Sequence, residues 1–223
     1  MNEPSPLASY SGEARLFPLP NLVFFPHVMQ PLHIFEPRYR QMTVDAIEGD
    51  RLIALVLPRP GWEKGYAGKP PIHTIGCIGH VVAEQRLDDG RFNILLRGQA
   101  RVRIIEELVC NKLYRVARTE ILHEQPVTSH ESERRWRKTL IAKADLWFAS
   151  QATIGEQICK LLHSELPLGA LCDILTFALP VDAEFKQTLL AELNVEARLQ
   201  QLRAFLDGQL ASARPFPPEF SVN

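Results

Sequence analysis

The chain has 223 residues, 46% of them hydrophobic and 23% charged, with a formal net charge of −1 at pH 7. That length is enough for one large or two small domains with a real core, and the balanced charge disfavours a dedicated nucleic-acid binder, which carries a basic excess. No run approaches the ~18 apolar residues of a membrane span, and MNEPSPLASYSG lacks the basic and apolar regions of a secretion signal, so the sequence reads as cytoplasmic with a flexible polar leader over residues 1–13.

The stretch FPLPNLVFFPHVMQPLHIFEPRYRQM, residues 17–42, combines five prolines with a dense run of Leu, Val and Phe. Proline lacks the N–H that ladders and helices use, so this segment cannot run as one regular element. Short strands are expected at Arg15–Phe17 and Leu32–Phe35. Pro37 suits the first turn of a helix carrying Tyr39, Met42, Thr43 and Ile47, and Gly49 suits its stop. LIALVL, residues 52–57, reads as a strand buried on both faces.

PRPGWEKGYAGKPP, residues 58–71, is a loop by composition. A strand over Ile75–Gln85 follows, with Gly76 and Gly79 permitting a bulge or bend. Asp88-Asp89-Gly90 is a hairpin turn. Phe92, Ile94 and Leu96 alternate with polar residues. Val102 and Ile104 do the same with Arg101 and Arg103, which places those two arginines on one solvent face. Tyr114–Ile121 supplies a last strand. Six or so short strands, one embedded helix and bend-forming glycines predict a small, mostly antiparallel β-barrel over residues 14–122.

LHEQPVTSH, residues 122–130, marks a change of texture to Leu, Ala, Glu, Gln and Arg at helical spacing. Thr128 with Glu131 reads as a capping box ahead of a stripe of Trp136, Leu140, Ala144, Trp147 and Phe148. Thr153 with Glu156 repeats it before Ile158, Leu161 and Leu162. Pro167 starts a third helix that ends near Leu179-Pro180, Asp182 caps a fourth with Phe185, Leu189 and Leu193, and a fifth carries Leu199, Leu202, Leu206 and Leu210. The expectation is an all-α helical bundle over residues 128–211, giving an α+β chain, and a proline-rich tail over residues 212–223.

The chemistry-bearing motifs are few. Gly68-Lys69 resembles the end of a phosphate loop, but Glu63 stands where the first glycine belongs and Pro70 where Ser or Thr belongs. Neither G-x-S-x-G nor H-E-x-x-H occurs. Cys77, Cys110, Cys159 and Cys172 form no C-x-x-C pair, and Cys159 with His163 is one pair without a second. No catalytic residue, metal or cofactor is assigned. The arginines at 97, 101, 103, 115 and 118 suit a solvated exterior paired with Glu106, Glu107 and Glu120. Arg134, Arg135, Arg137 and Lys138 suit the wet side of the helix carrying Trp136.

Three stretches resemble one known family. LFPLPNLVFFPHVMQPLHIFEPRYRQM looks like the signature of the N-terminal, substrate-binding domain of Lon proteases. IGCIGHVVAEQRLDDGRFNILLRGQARVRI at 75–104 and YRVARTEIL at 114–122 follow in the family's order, and ALPVDAEFKQTLLAELNVEARLQQL at 178–202 is similar to its closing helical stretch. The resemblance covers residues 14–210 and implies a PUA-like barrel with a trailing helical bundle. A Lon protease continues into an ATPase and a Ser–Lys peptidase domain, whose motifs this sequence lacks. The resemblance therefore implies a non-catalytic, stand-alone module that binds exposed or unfolded polypeptide, with an adaptor role in ATP-dependent proteolysis, a protease or chaperone as partner and a monomer or weak dimer as its state. Phe24, Phe25, His27, Trp62 and Tyr66 are the candidate contacts, as aromatic and polar groups in irregular segments. RNA binding by a PUA-like barrel, or a remnant of an ATP-dependent serine protease, are the alternatives.

Overall fold

The protein is described by a computed structural model covering residues 5–65, 68–148, 160–161 and 163–212. It is a mixed α+β chain with six strands in one sheet: β1 (Glu13–Pro18), β2 (Met29–Ile34), β3 (Leu52–Val56), β4 (Ile75–Arg86), β5 (Phe92–Leu108) and β6 (Arg115–Leu122). Helix α1 (Pro37–Ile47) lies between β2 and β3, with Pro37 in its first turn as the sequence predicts. Further helices are α2 (His130–Phe148), α3 (Leu168–Ala178), α4 (Ala183–Ala191) and α5 (Val195–Ser212). Among the described residues no helix is long and apolar enough to cross a membrane.

The sheet order is β2-β5-β4-β3-β1-β6, and β6 also pairs with β5, so the ladder returns on itself. β1 and β3 run parallel, Leu16 opposite Ala54, and the connection between them contains β2 and α1. The remaining pairs are antiparallel. LIALV is buried at every position, as expected for β3. Its Leu52, Ala54 and Val56 pack with Leu16, Ile78 and Val102 in the core. Leu7 and Tyr10, from the stretch read as a leader, pack against the same core, and the Tyr10 hydroxyl meets that of Thr119.

The sequence suggested two short strands where the structure has one. β5 runs 17 residues. Its first half pairs with β2 and its second half with β6, while β4 accompanies most of its length. Register shifts fall at Ile78/Gly79, Val81/Ala83 and Ile104/Glu106. Such bulges bend a strand without ending it, so the interrupted alternation marks a bend and not a break.

The proline-rich segment is fastened to that bend. Phe24 and Phe25 are buried, 1% and 0% exposed. The His27 N–H donates to the Gly98 carbonyl at 3.0 Å, and the Gly98 N–H donates to the Val28 carbonyl at 2.8 Å. A Cβ on Gly98 would lie 2.9 Å from the Phe25 carbonyl carbon and 3.0 Å from the Pro26 Cα. Only glycine lets the two backbones approach so closely.

The chain forms two compact units. The first comprises residues 1–123 and 177–193, and the second residues 124–176 and 194–223. Helix α4 therefore belongs with the sheet, although the sequence grouped it with the other late helices. Two buried polar groups account for this. Gln187 donates through Nε2 to the Ile75 carbonyl at 2.9 Å, and Arg101 donates through Nε to the Leu190 carbonyl at 2.9 Å. Arg101 is thus 3% exposed, not solvent-facing. Arg103 stays exposed and pairs with Glu120 at 3.0 Å. Asp182 caps α4 as expected, accepting from the Phe185 N–H at 2.8 Å.

In the second unit α2 buries Trp136, Leu140 and Ala144, and α5 buries Val195, Leu199, Leu202 and Leu206. The two helices pack together. The expected cap at Thr128 moves one residue on: Ser129 accepts from the Ser132 N–H at 3.1 Å. Arg198 is fully buried, donating to Asp173 at 2.6 Å and to Glu124. The expected second capping box, Cys159, Tyr66 and most of the tail lie outside the described residues.

Two stability predictions follow from these contacts. Gly98→Ala should lower the unfolding free energy by about 1–3 kcal/mol, because the new methyl meets backbone that cannot swing away; urea titration followed by circular dichroism measures it, and an unchanged midpoint would contradict the clamp. Arg198→Met should cost about 3–5 kcal/mol, since it strands the buried Asp173 carboxylate. Calorimetry should then show the second unit melting well below its wild-type temperature.

Candidate functional site

Within the first unit, a cavity of 270 Å³ opens beside α1. Its walls come from three places: the 58–70 loop, the turn joining β5 to β6, and the first turn of α1. Pro18, Pro58 and Pro70 stand at its corners. Each fixes its own φ, which limits the conformations open to the chain at those positions. The loop is closed at its base by the Arg59 N–H donating to the Pro71 carbonyl at 2.8 Å and the His73 N–H to the Leu57 carbonyl at 2.9 Å.

The floor is aromatic and aliphatic. Tyr39 is 4% exposed and lies 4.3 Å, ring centre to ring centre, from Phe17. Tyr114 is buried, and its hydroxyl donates to Asp45 Oδ2 at 2.6 Å. At the mouth Leu113 is 65% exposed, and Val109, in the same turn, is wholly bare. The Leu113 N–H is held by the Gln41 side-chain oxygen at 2.9 Å, so the turn is anchored to α1.

The rim carries Arg38, Lys69, Lys112 and Arg115. Three of these are matched locally: Arg38 with Glu36 at 2.8 Å, Lys112 with Asp45 at 2.8 Å, and Arg115 with Glu107. Partial burial alone would raise the Asp45 carboxyl. The hydrogen bonds from Lys112 and Tyr114 outweigh it and hold the pKa below the ordinary 3.8. Burial, then the bond to Asp45, raises the Tyr114 phenol in turn. The Arg115 hydrogen bond holds Glu107 low. The result is a pocket of mixed polarity, with tyrosine, leucine and proline side chains inside a rim whose charges are largely matched, suited to gripping a side chain.

The residues singled out from the sequence lie elsewhere. Phe24 and Phe25 are core side chains and reach no solvent in this conformation. His27 is exposed, with φ of 66°, on the loop that those two phenylalanines anchor. Trp62 is half-buried in a short 3-10 turn, Trp62–Gly65, in the 58–70 loop. None of these four lines the cavity. Tyr66 lies outside the described residues. The lining that sequence reasoning missed, Tyr39, Leu113, Tyr114 and Arg115, had one signal: VCNKLYR at 109–115 places bare Val and Leu in a turn that polar residues normally fill.

Comparison with solved structures places this fold. A Lon N-terminal domain protein from Xanthomonas campestris matches with a TM-score of 0.63 at 20% identity, covering 86% of this chain and 98% of that one. The N-terminal domain of Mycobacterium avium complex Lon protease matches with a TM-score of 0.66 at 15% identity, covering 91% and 100%. Among curated relatives, Lon protease of Desulfosudis oleivorans is 25% identical over 195 residues, and Lon protease 2 of Herpetosiphon aurantiacus 28% over 207. Those alignments take in 87% and 91% of this chain but 24% of each relative, so the chain spans about a quarter of their length. The family model of the ATP-dependent protease La (LON) substrate-binding domain matches residues 13–208, and the chain belongs to that family.

The depressed Asp45 pKa gives a pH test. Its contribution to stability is present above the ordinary carboxylate range and is lost as pH falls through the folded value. Asp45→Asn should be less stable than wild type by about 1 kcal/mol at neutral pH, the worth of the hydrogen bonds it weakens. That gap should close as the pH drops below about 4. Denaturant titrations at stepped pH measure it, and a gap that stays constant down to acid would refute the assignment.

Proposed function

We propose that the first unit is a PUA-like barrel of Lon type that binds exposed or unfolded segments of other polypeptides, without catalysis of its own. The observation that carries this reading is the pairing of bare Leu113 and Val109 with a cavity lined by tyrosine, leucine and proline side chains at the same turn. A concave site with aromatic and aliphatic walls beside exposed aliphatic groups suits an apolar side chain of an extended peptide, and its polar rim suits the peptide backbone. The family's description as a substrate-binding domain agrees with that chemistry. The closed ladder is what a barrel requires.

In this reading residues 14–122 are the recognition domain, steadied by α4. His27 and Trp62 serve as outlying contacts, each on a loop near which an extended chain could run. Phe24 and Phe25 act indirectly, by holding the His27 loop. The module works in the cytoplasm as a monomer or weak dimer, and as an adaptor it would hand its clients to a protease or chaperone. RNA is a poorer fit, because the late-strand arginines are neutralised: Arg103 by Glu120, Arg115 by Glu107 and Arg118 by Glu106.

Fluorescence anisotropy with a labelled, reduced and carboxymethylated protein tests the reading. Val109→Asp/Leu113→Asp should weaken binding about tenfold or more, given ~1.5–3 kcal/mol for each buried aliphatic side chain, with the circular dichroism spectrum unchanged. Equal affinity of the double variant and wild type would remove the cavity from the site. Parallel His27→Ala and Trp62→Ala titrations report whether those side chains touch the client.

A further inference from the structure

A second cavity, of 340 Å³, lies in the first unit where α1 meets the tip of the β4–β5 hairpin. The side chains that matter are Arg40 and Gln41 on α1, Arg86 at the end of β4, and Gly90 and Phe92 across the turn. Most other arginines of this unit have a carboxylate partner, among them Arg15 with Asp50, Arg38 with Glu36, Arg51 with Glu84, Arg91 with Asp89, Arg103 with Glu120 and Arg118 with Glu106, while Arg59 and Arg101 donate to backbone carbonyls. Arg40 and Arg86 both line this one cavity, and neither forms a direct ion pair with a carboxylate among the described residues, although Asp89 lies close enough to Arg40 to feel its charge. Asp89, the nearest acid on the turn, is held by Arg91 at 2.5 Å, and Asp88 beside it is exposed.

The place of each donor is set by its surroundings. Gly90 has φ of 79°, and a Cβ there would overlap the Arg40 guanidinium, so the turn glycine also makes room for the cation. The Arg86 guanidinium lies 5.8 Å above the Phe92 ring, a face that steadies it without neutralising its charge. Gln41 spends its oxygen on the Leu113 N–H, leaving its NH2 group to donate.

We propose that this cavity binds a phosphate dianion, as the free ion or as a monoester. Two unpaired guanidinium forks and an amide NH2 offer donors alone, which suits an oxyanion. The double positive charge favours a dianion over a carboxylate, which would answer only one arginine. The site is separate from the cavity assigned to polypeptide and does not depend on that assignment.

Isothermal titration of the full chain with inorganic phosphate, at fixed ionic strength and pH 7.5, tests it. Saturable binding is expected, weakened about tenfold or more by Arg40→Gln or by Arg86→Gln, as for loss of a charge-assisted hydrogen bond. Arg118→Gln, which removes the same charge from β6, should leave it unchanged. Binding should also weaken as pH falls and the dianion takes up a proton, through about 7 for inorganic phosphate and about 6 for the monoester phosphoserine. A parallel titration with phosphoserine separates the two sources: binding as tight as phosphate supports a monoester ligand, and weaker binding supports the free ion. Arg86 is exposed, so Arg86→Gln keeps the test valid if Arg40→Gln misfolds. The proposal is overturned by absence of saturable binding, by equal weakening in all three variants, or by acetate binding as well as phosphate.

Discussion

Everything in the first unit depends on one strand finding hydrogen-bond partners on both sides while it bends. β5 is long enough to serve three neighbours, and it can do so only because its halves face different strands. The bend is made at Gly98, whose missing side chain admits the Phe25–Pro26 backbone. That contact turns a proline-rich segment that cannot join a ladder into a structural part, since its free N–H and C=O groups at His27 and Val28 find Gly98. The buried Phe24 and Phe25 then supply the apolar area that holds the approach.

Much of this was legible in the sequence. β3 reads directly from an uninterrupted apolar run, α1 from Pro37 and its spacing, and the hairpin from Asp-Asp-Gly, because each signal is local. What failed was non-local. Arg101 looks solvent-facing by alternation, and only the Leu190 carbonyl on α4, far along the chain, makes it a buried residue. The same contact draws α4 toward the sheet, a pairing that helical texture cannot report. The cap at Ser129 in place of Thr128 is a smaller miss of the same origin: adjacent residues of equal capping chemistry differ only in how the chain enters the helix. The candidate site was the least legible part. Aromatic residues in a proline-rich loop are as apt for core as for surface, and the cavity draws its floor from Tyr39 and Tyr114, whose side chains face inward for reasons set by α1 and β1.

Charge is spent differently in the two units. On the sheet, arginines and glutamates pair at the surface, where each pair adds little stability but cancels the field. In the second unit a single arginine, Arg198, is taken wholly out of water and held by two carboxylates. Such a group adds little net stability against an apolar substitute of the same shape, yet losing a partner leaves a bare buried charge. The first arrangement tolerates change, and the second fixes how α3 and α5 meet within that unit.

Helix α1 is the element on which the two cavities of the first unit converge. Its Asp45 holds Lys112 and Tyr114 on one wall of the first cavity, and its Arg40 lines the cationic one. Gln41 belongs to both, with its oxygen on the Leu113 N–H and its amide at the second cavity. Pro37 sets where the helix begins, and Arg15 ties its last turn to β1 through the Asp45 carbonyl at 3.1 Å. A short helix fixed at both ends presents different side chains to the two cavities already placed, so a ligand proposed for either would cost little order on binding. The proline that interrupts the opening segment at position 37 is thus what allows this helix to start where both walls require it.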